Sequence, residues 1–225
     1  MSARSNSTGS RRHRILLVDD HAIVREGIAE IISTHHDLEV CGEAESAGQA
    51  MDAVARLRPD LVVVDLSLQG GSGLDLIKNL KALHPLLPMI VLSMHDESLY
   101  AERALRAGAL GYVMKREAST TVLEAIHTAL NGQVFLSPKM RERMLQNVVG
   151  NRPAPTAVPA MAQLTDRELE VLELLGEGRT TRQIAQQLHL SISTVETHRA
   201  HIKEKLNLAN GSELIRTAVE WANRR

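Results

Sequence analysis

At 225 residues the chain is long enough for one or two domains, and its composition, 44% hydrophobic and 24% charged, is that of a globular protein. The formal net charge of −1 neither demands nor excludes nucleic acid, because a local patch matters more than the total. The single cysteine, Cys41, excludes an internal disulfide and a CxxC metal site, and no run approaches the roughly 18 apolar residues of a membrane helix.

Residues 1–13 are polar and basic and read as a flexible tail, without the apolar stretch of a signal peptide. A cytoplasmic protein is expected. Aromatics make up only 2%, so aliphatic side chains must fill the cores. Strand-like and helix-like segments then alternate over 14–132. The strands are ILLV (15–18), LEVCGEA (38–44), LVVV (61–64), MIVLS (89–93) and GYVMK (111–115). Ile23, Ile28, Ile31 and Ile32 suit a first helix, and Ser46 with Gln49 forms a capping-box pattern for the second. Leu74, Ile77 and Leu80 share a face of the third. The fourth spans roughly 97–107 before a C-cap at Gly108, and Thr121 with Glu124 is expected to open the fifth. Five strand–helix repeats predict a doubly wound parallel sheet covered on both faces. Apolar strands 1, 3 and 4 suit burial on both sides. Residues 138–149 suit one more helix, and 150–162 hold three of the seven prolines, which marks a linker. Beyond Leu164 the pattern is helical only. The expected domains are 14–132 and 163–225, joined by 133–162.

In open parallel sheets ligands bind beyond the carboxyl ends of the strands. Asp19 and Asp20 end the first strand, Asp65 the third, Ser93 the fourth and Lys115 the fifth. Each alone reads as a turn, a cap or surface charge. As a set, three carboxylates repel unless a cation sits among them, and oxygen donors of this kind suit Mg²⁺. A lysine and a hydroxyl beside them equip the edge for phosphoryl transfer to a carboxylate.

These residues carry a resemblance. VDDHAIVREG (18–27), VVVDLSL (62–68), VLSMHDE (91–97) and GALGYVMK (108–115) resemble the motifs of the receiver domain of two-component response regulators, with sheet order 2-1-3-4-5. The resemblance implies that Asp65 accepts a phosphoryl group from a sensor histidine kinase. It also implies Mg²⁺ held by Asp19, Asp20, Asp65 and the Ser67 carbonyl, with Asp20 and Asp65 as the direct ligands. Lys115 would pair with the phosphoryl group, Ser93 would hydrogen-bond it and move, and Tyr112 would be the aromatic switch. Gln69 and Arg116 stand where the family often has proline.

From residue 164, Thr165 with Glu168 forms a capping box, and Leu169, Leu172 and Leu175 share a helix face. The turn GEGR (176–179) leads to Ile184, Ala185 and Leu188, and Ser191 is an N-cap for a helix with Val195, Ile202 and Leu206 inward. This is a helix-turn-helix pattern, although bundles mimic it and 163–225 holds nine Lys+Arg against nine Asp+Glu. LTDRELEVL, IAQQL, LSISTVETH and IKEKL resemble the LuxR-type DNA-binding domain of NarL/FixJ regulators. The resemblance implies that Glu196, Thr197 and Ala200 face base edges of double-stranded DNA. Thr181, Arg182, Thr194, Arg199 and Lys203 are candidate phosphate contacts. Glu196 could accept from a cytosine amine. His198 reads as a packed histidine, since it and His201 have no third ligand. In the last helix Leu214, Ala218 and Trp221 read either as core or, by resemblance, as a homodimer surface.

The expectation is a transcriptional regulator that catalyses only its own phosphorylation and dephosphorylation. The rival readings are a phosphorylation-independent regulator with a degenerate receiver, a Mg²⁺-dependent phosphatase of the haloacid dehalogenase type, and a C-terminal domain that binds protein. The phosphatase wants a second aspartate where Ser67 stands.

Overall fold

The computed structural model describes residues 11–68, 71–148, 161, 163–188 and 190–222. Most of the expected tail, Gln69 and most of the proline-rich linker lie outside the described residues. The first unit runs β1 (His13–Val18), α1 (Ala22–Ser33), β2 (Leu38–Ala44), α2 (Ala47–Leu57), β3 (Leu61–Val64), then two short strands β4 (Ser67–Leu68) and β5 (Gly71–Ser72). It continues α3 (Gly73–Leu83), β6 (Met89–Ser93), α4 (Glu97–Ala107), β7 (Gly111–Met114) and α5 (Ala118–Leu130). Helix α6 (Pro138–Val148) follows.

Among the described residues, five strands form a parallel sheet of order β2-β1-β3-β6-β7, while β4 and β5 pair antiparallel beside it. With the two short strands set aside, this is the expected order. Successive residues of a strand point to opposite faces. Ile15, Leu17, Leu61, Val63, Ile90 and Leu92 therefore pack with Ile28 and Ile32 of α1 and Val122 and Ile126 of α5. Leu16, Val18, Val62, Val64, Met89 and Val91 pack on the other face, with α2, α3 and α4. Both faces are apolar because both are covered.

The local signals succeed unevenly. Gly108 caps α4 in the left-handed region at φ 115°, as expected. Ser46 accepts from the Gln49 amide, but the Gln49 side chain turns to the Glu45 amide, so the reciprocal box is not made. Thr121 lies inside α5, which already starts at Ala118, and its hydroxyl donates to the Glu117 carbonyl. Ile23 is exposed. Its position faces away from the α1 stripe that Ile28 and Ile32 bury.

The second unit contains α7 (Asp166–Gly176), α8 (Thr181–Gln187), α9 (Ile192–Lys205) and α10 (Gly211–Ala222). Thr165 and Glu168 complete a capping box, and so do Thr180 and Gln183. Leu169, Leu172, Leu175, Ile184, Val195 and Ile202 close the core as expected, with Leu214 and Ala218 of α10 fully buried among them.

Candidate functional site

Three strand ends converge. The Asp65 amide donates to the Val18 carbonyl at 2.8 Å, and the Asp19 amide to the Ala44 carbonyl at 3.1 Å, so the backbone fixes where the carboxylates sit. A Cβ at Gly73 would lie 2.1 Å from the Asp65 carbonyl oxygen, so only glycine lets the start of α3 pass so close. Ligand atoms of Asp19, Asp20, His21 and Asp65 all lie within 4.8 Å of one another. Lys115 Nζ stands 2.6 Å from Asp19 Oδ2 and 2.8 Å from Asp65 Oδ2.

Asp65 is only 2% exposed. Burial pushes its carboxyl above the usual range, Lys115 opposes this, and Asp19 adds to it. For Lys115, burial works to lower the ammonium, but Asp65 and Asp19 outweigh it and hold it above its ordinary value. One ammonium against three carboxylates leaves negative charge uncompensated in a buried pocket. Asp65 Oδ1 is buried there without a hydrogen-bond partner. Hard oxygen donors and an unsatisfied carboxylate oxygen fit a divalent cation such as Mg²⁺.

Two residues here carried no signal in the sequence. His21 Nδ1 lies 2.7 Å from Asp20 Oδ1, and its amide donates to Asp19 Oδ1 at 2.9 Å. Buried Arg25 of α1 donates to the Asp19 carbonyl at 2.6 Å and to Glu43 and Glu45 at 2.8 Å each. Glu43 and Glu45 are remote from Arg25 in sequence, which is why spacing could not reveal those contacts.

The expected switch residues meet at His95. Ser93 is fully buried, and its Oγ accepts from the His95 amide at 3.2 Å. The Tyr112 ring is buried, and its hydroxyl donates to the His95 carbonyl at 2.8 Å. Ser67 begins β4, and its hydroxyl lies 2.7 Å from His95 Nε2. His95 Nδ1 in turn lies 2.9 Å from Glu173 Oε2 of α7, so the second unit reaches the edge of the site. Asp166, at the start of α7, is held by Arg103 of α4 at 2.8 Å and Lys78 of α3 at 2.9 Å.

On the second unit, Ser191 caps α9 by accepting from the Thr194 amide at 3.0 Å. Glu196, Thr197 and Ala200 are exposed on one stretch of α9, Arg182 is exposed on α8, and Thr181, Thr194, Arg199 and Lys203 are half-buried. Glu196 is not free: Oε1 accepts from Thr181 at 2.9 Å and from Arg199 at 2.8 Å. His198 is half-buried and burial lowers its pKa, while His201 Nδ1 lies 3.6 Å from Glu168 Oε1. Among the described residues the pair belongs to no metal-binding cluster. The expected dimer residues need correction. Leu214 and Ala218 are 0% exposed and belong to the core, and Trp221 is half-buried. The exposed apolar residues of α10 are Ile215 (46%) and Val219 (38%), because the inward stripe is used to cover α7.

Residues 15–127 match the response regulator receiver domain, and residues 162–218 match the bacterial regulatory proteins of the luxR family. The chain belongs to the LuxR-type response regulators. The oxygen regulatory protein NreC of Staphylococcus carnosus is 33% identical to this response regulator over 210 residues, spanning 92% of this chain and 97% of the relative. RcsB of Salmonella typhimurium superposes with a TM-score of 0.70 at 26% identity, covering 93% of this chain and 98% of that one. RcsB bound to promoter rprA in the presence of the phosphomimetic BeF3- gives 0.65 at 27% identity, over 92% and 98%. A two-component response regulator of the LuxR family from Aurantimonas is 34% identical with a TM-score of 0.58, covering 61% of this regulator and 99% of that chain. The two family matches in one chain do not favour the phosphatase reading. No described helix of this regulator is long and apolar enough to cross a membrane.

Proposed function

We propose that this response regulator is a cytoplasmic transcription factor whose binding to double-stranded DNA is controlled by phosphorylation of Asp65. The observation that carries this is the cluster of Asp19, Asp20 and Asp65, with the Lys115 ammonium set against Asp19 and Asp65. The proposed receiver spans 14–132, the linker 133–162 and the DNA-binding domain 163–225.

Asp65 Oδ2 is engaged by Lys115, which leaves Oδ1 as the attacking oxygen. The Oδ1–P bond forms as the N–P bond of a phosphohistidine on a sensor histidine kinase breaks, and the imidazole leaves with the electron pair. Asp19, Asp20, Asp65 and the Ser67 carbonyl would hold Mg²⁺, which supplies charge neutralisation to the phosphoryl oxygens. Lys115 is freed from part of its pairing to contact the new phosphoryl oxygens, and Ser93 supplies a hydroxyl donor. The Ser93 hydroxyl then leaves the His95 amide, and Tyr112 loses the arrangement that its bond to His95 fixes. Only contacts that differ between the two states can shift the equilibrium, and these are such contacts. The catalysis is confined to this protein's own phosphorylation and dephosphorylation.

For DNA, α9 presents Thr197, Ala200 and the Glu196 carboxylate to base edges, with Thr181, Arg182, Thr194, Arg199 and Lys203 toward phosphates. Two copies on inverted half-sites would meet through the exposed Ile215–Val219 stripe of α10. The deciding experiment is intact mass after incubation with acetyl phosphate, with and without Mg²⁺. A single Mg²⁺-dependent phosphoryl adduct is expected in the wild type and its absence in Asp65→Ala. An adduct that persists in Asp65→Ala would place the acceptor elsewhere.

A further inference from the structure

Arg25 of α1 is only 7% exposed, and a buried guanidinium is costly unless its donors are engaged. Its fork reaches three stretches of chain. Nη1 donates to the Asp19 carbonyl at 2.6 Å, Nε to Glu43 Oε2 at 2.8 Å and Nη2 to Glu45 Oε1 at 2.8 Å. Glu43 and Glu45 flank Ala44, the last residue of β2, whose carbonyl accepts the Asp19 amide at 3.1 Å. The backbone of Asp19 is therefore held on both sides, by Ala44 at its amide and by Arg25 at its carbonyl. That carbonyl belongs to the planar peptide that joins Asp19 to Asp20, and the Cα atoms of both residues lie in its plane. Fixing the plane fixes the points from which both carboxylates reach into the acidic cluster. The ion pairs of Arg25 are with the exposed Glu43 and Glu45, while toward the site it touches a neutral carbonyl. It can thus set the geometry of the aspartates without competing with a cation for their charge.

We propose that Arg25 is a positioning residue for the Mg²⁺ site: it ties the Asp19–Asp20 peptide to the end of β2 and so holds the two aspartates in the arrangement that binds the cation. This rests on the reading in which Asp65 is the phosphoryl acceptor and Asp19, Asp20 and Asp65 hold Mg²⁺. Holding matters because close carboxylates repel one another, and a free peptide would turn to separate them. Mg²⁺ tolerates little departure from octahedral geometry, so ligands that have drifted apart bind it poorly. Groups that orient metal ligands without touching the metal are worth roughly 10–100-fold in affinity. A guanidinium suits the task because its rigid planar fork meets three acceptors in fixed directions, whereas a lysine ammonium is a point charge on a flexible stem. The hydrogen bonds of Arg25 reach neither Asp65 nor Lys115, so its influence on phosphoryl transfer runs through the cation site.

The test uses the full chain with Mg²⁺ alone as the probe. The thermal midpoint is followed against Mg²⁺ concentration. Its value without the ion reports the stability of the fold, and its concentration dependence gives the dissociation constant. Arg25→Met, which keeps the apolar stem, is expected to raise that constant roughly 10–100-fold. Loss of a positive charge beside an acidic site would by itself tighten cation binding, so a weakening reads geometry rather than charge. Arg25→Lys keeps the charge and should also bind Mg²⁺ more weakly than wild type, because one ammonium cannot span the Asp19 carbonyl and both glutamates. It decides the matter if Arg25→Met shows no cooperative transition. A lower midpoint without Mg²⁺ but an unchanged dissociation constant overturns the proposal and leaves Arg25 a staple of the fold. Wild-type affinity in Arg25→Lys overturns it as well. Intact mass after acetyl phosphate supplies the second readout. Uptake by the variants should be slow at low Mg²⁺ and approach the wild-type rate at saturating Mg²⁺, and a rate that stays low there overturns the route through the cation. A wild type that binds Mg²⁺ but takes no adduct overturns the acceptor reading, while the dissociation constants still decide the role of Arg25. A wild type whose midpoint ignores Mg²⁺ overturns the proposal.

Discussion

Asp65 can act as an acceptor because two of its properties are set by different neighbours. Burial at the end of an all-valine strand terminus raises its carboxyl, and Lys115 brings it back toward the ionised form that a nucleophile needs. Replacing Lys115 with methionine should slow phosphoryl uptake from acetyl phosphate by roughly 100-fold, the scale of losing one preorganised charge donor. Mass spectrometry over time checks it. A cation that binds the folded pocket must also stabilise the fold. At 100 times its dissociation constant Mg²⁺ should add about 2.7 kcal/mol to wild type, and much less to Asp20→Asn, read as the shift in thermal midpoint. The carboxylates, Lys115 and Ser93 were legible in the sequence because each ends a strand and the strand ends of a parallel sheet share one edge. His21, Arg25 and His95 were not legible. The roles of Arg25 and His95 depend on partners such as Glu43 and Glu173 that only folding brings near, whereas His21 contacts its own chain neighbours Asp19 and Asp20.

At the scale of elements, α10 shows how a single helix divides its faces. Leu214→Ala should cost about 2–5 kcal/mol in chemical denaturation, because it opens a cavity against α7. Ile215→Asp, on the exposed face, should change stability by less than about 0.5 kcal/mol while weakening self-association on DNA. Helix α7 depends on charge at its start. Arg103 and Lys78, the latter also paired with Asp75, outweigh the effect of burial and hold Asp166 below its ordinary value of 3.8. A carboxyl lowered on folding contributes stability that is complete above its unfolded pKa and is lost as pH falls through the lowered value. The stability difference between wild type and Asp166→Asn should therefore be constant at neutral pH and shrink below about pH 4. Calorimetry across that range checks it. Capping signals were legible where side chain and amide are neighbours, as at Thr165 and Glu168. They misled at Thr121, where the hydroxyl donates to the Glu117 carbonyl within a helix that begins earlier.

Across the whole molecule, near-neutral charge means that DNA affinity cannot come from the total field and must rest on a few placed cations. Lys203→Ala should weaken binding about equally across sequences and reduce the salt slope by about 1 in titrations at several ionic strengths. The sequence by itself determined the two-domain plan, the alternation that builds a parallel sheet, the acidic edge with Lys115, and the helix-turn-helix. Each of these is written in local periodicity or in chemistry placed at element ends, and neither needs knowledge of distant neighbours. Only the tertiary structure decided that Leu214 and Ala218 are core, that Glu196 is held by Thr181 and Arg199, and that His95 faces Glu173. Which face of a helix is covered, and which distant charge meets which, depends on how the elements pack, and one chain's residue pattern is compatible with more than one such packing.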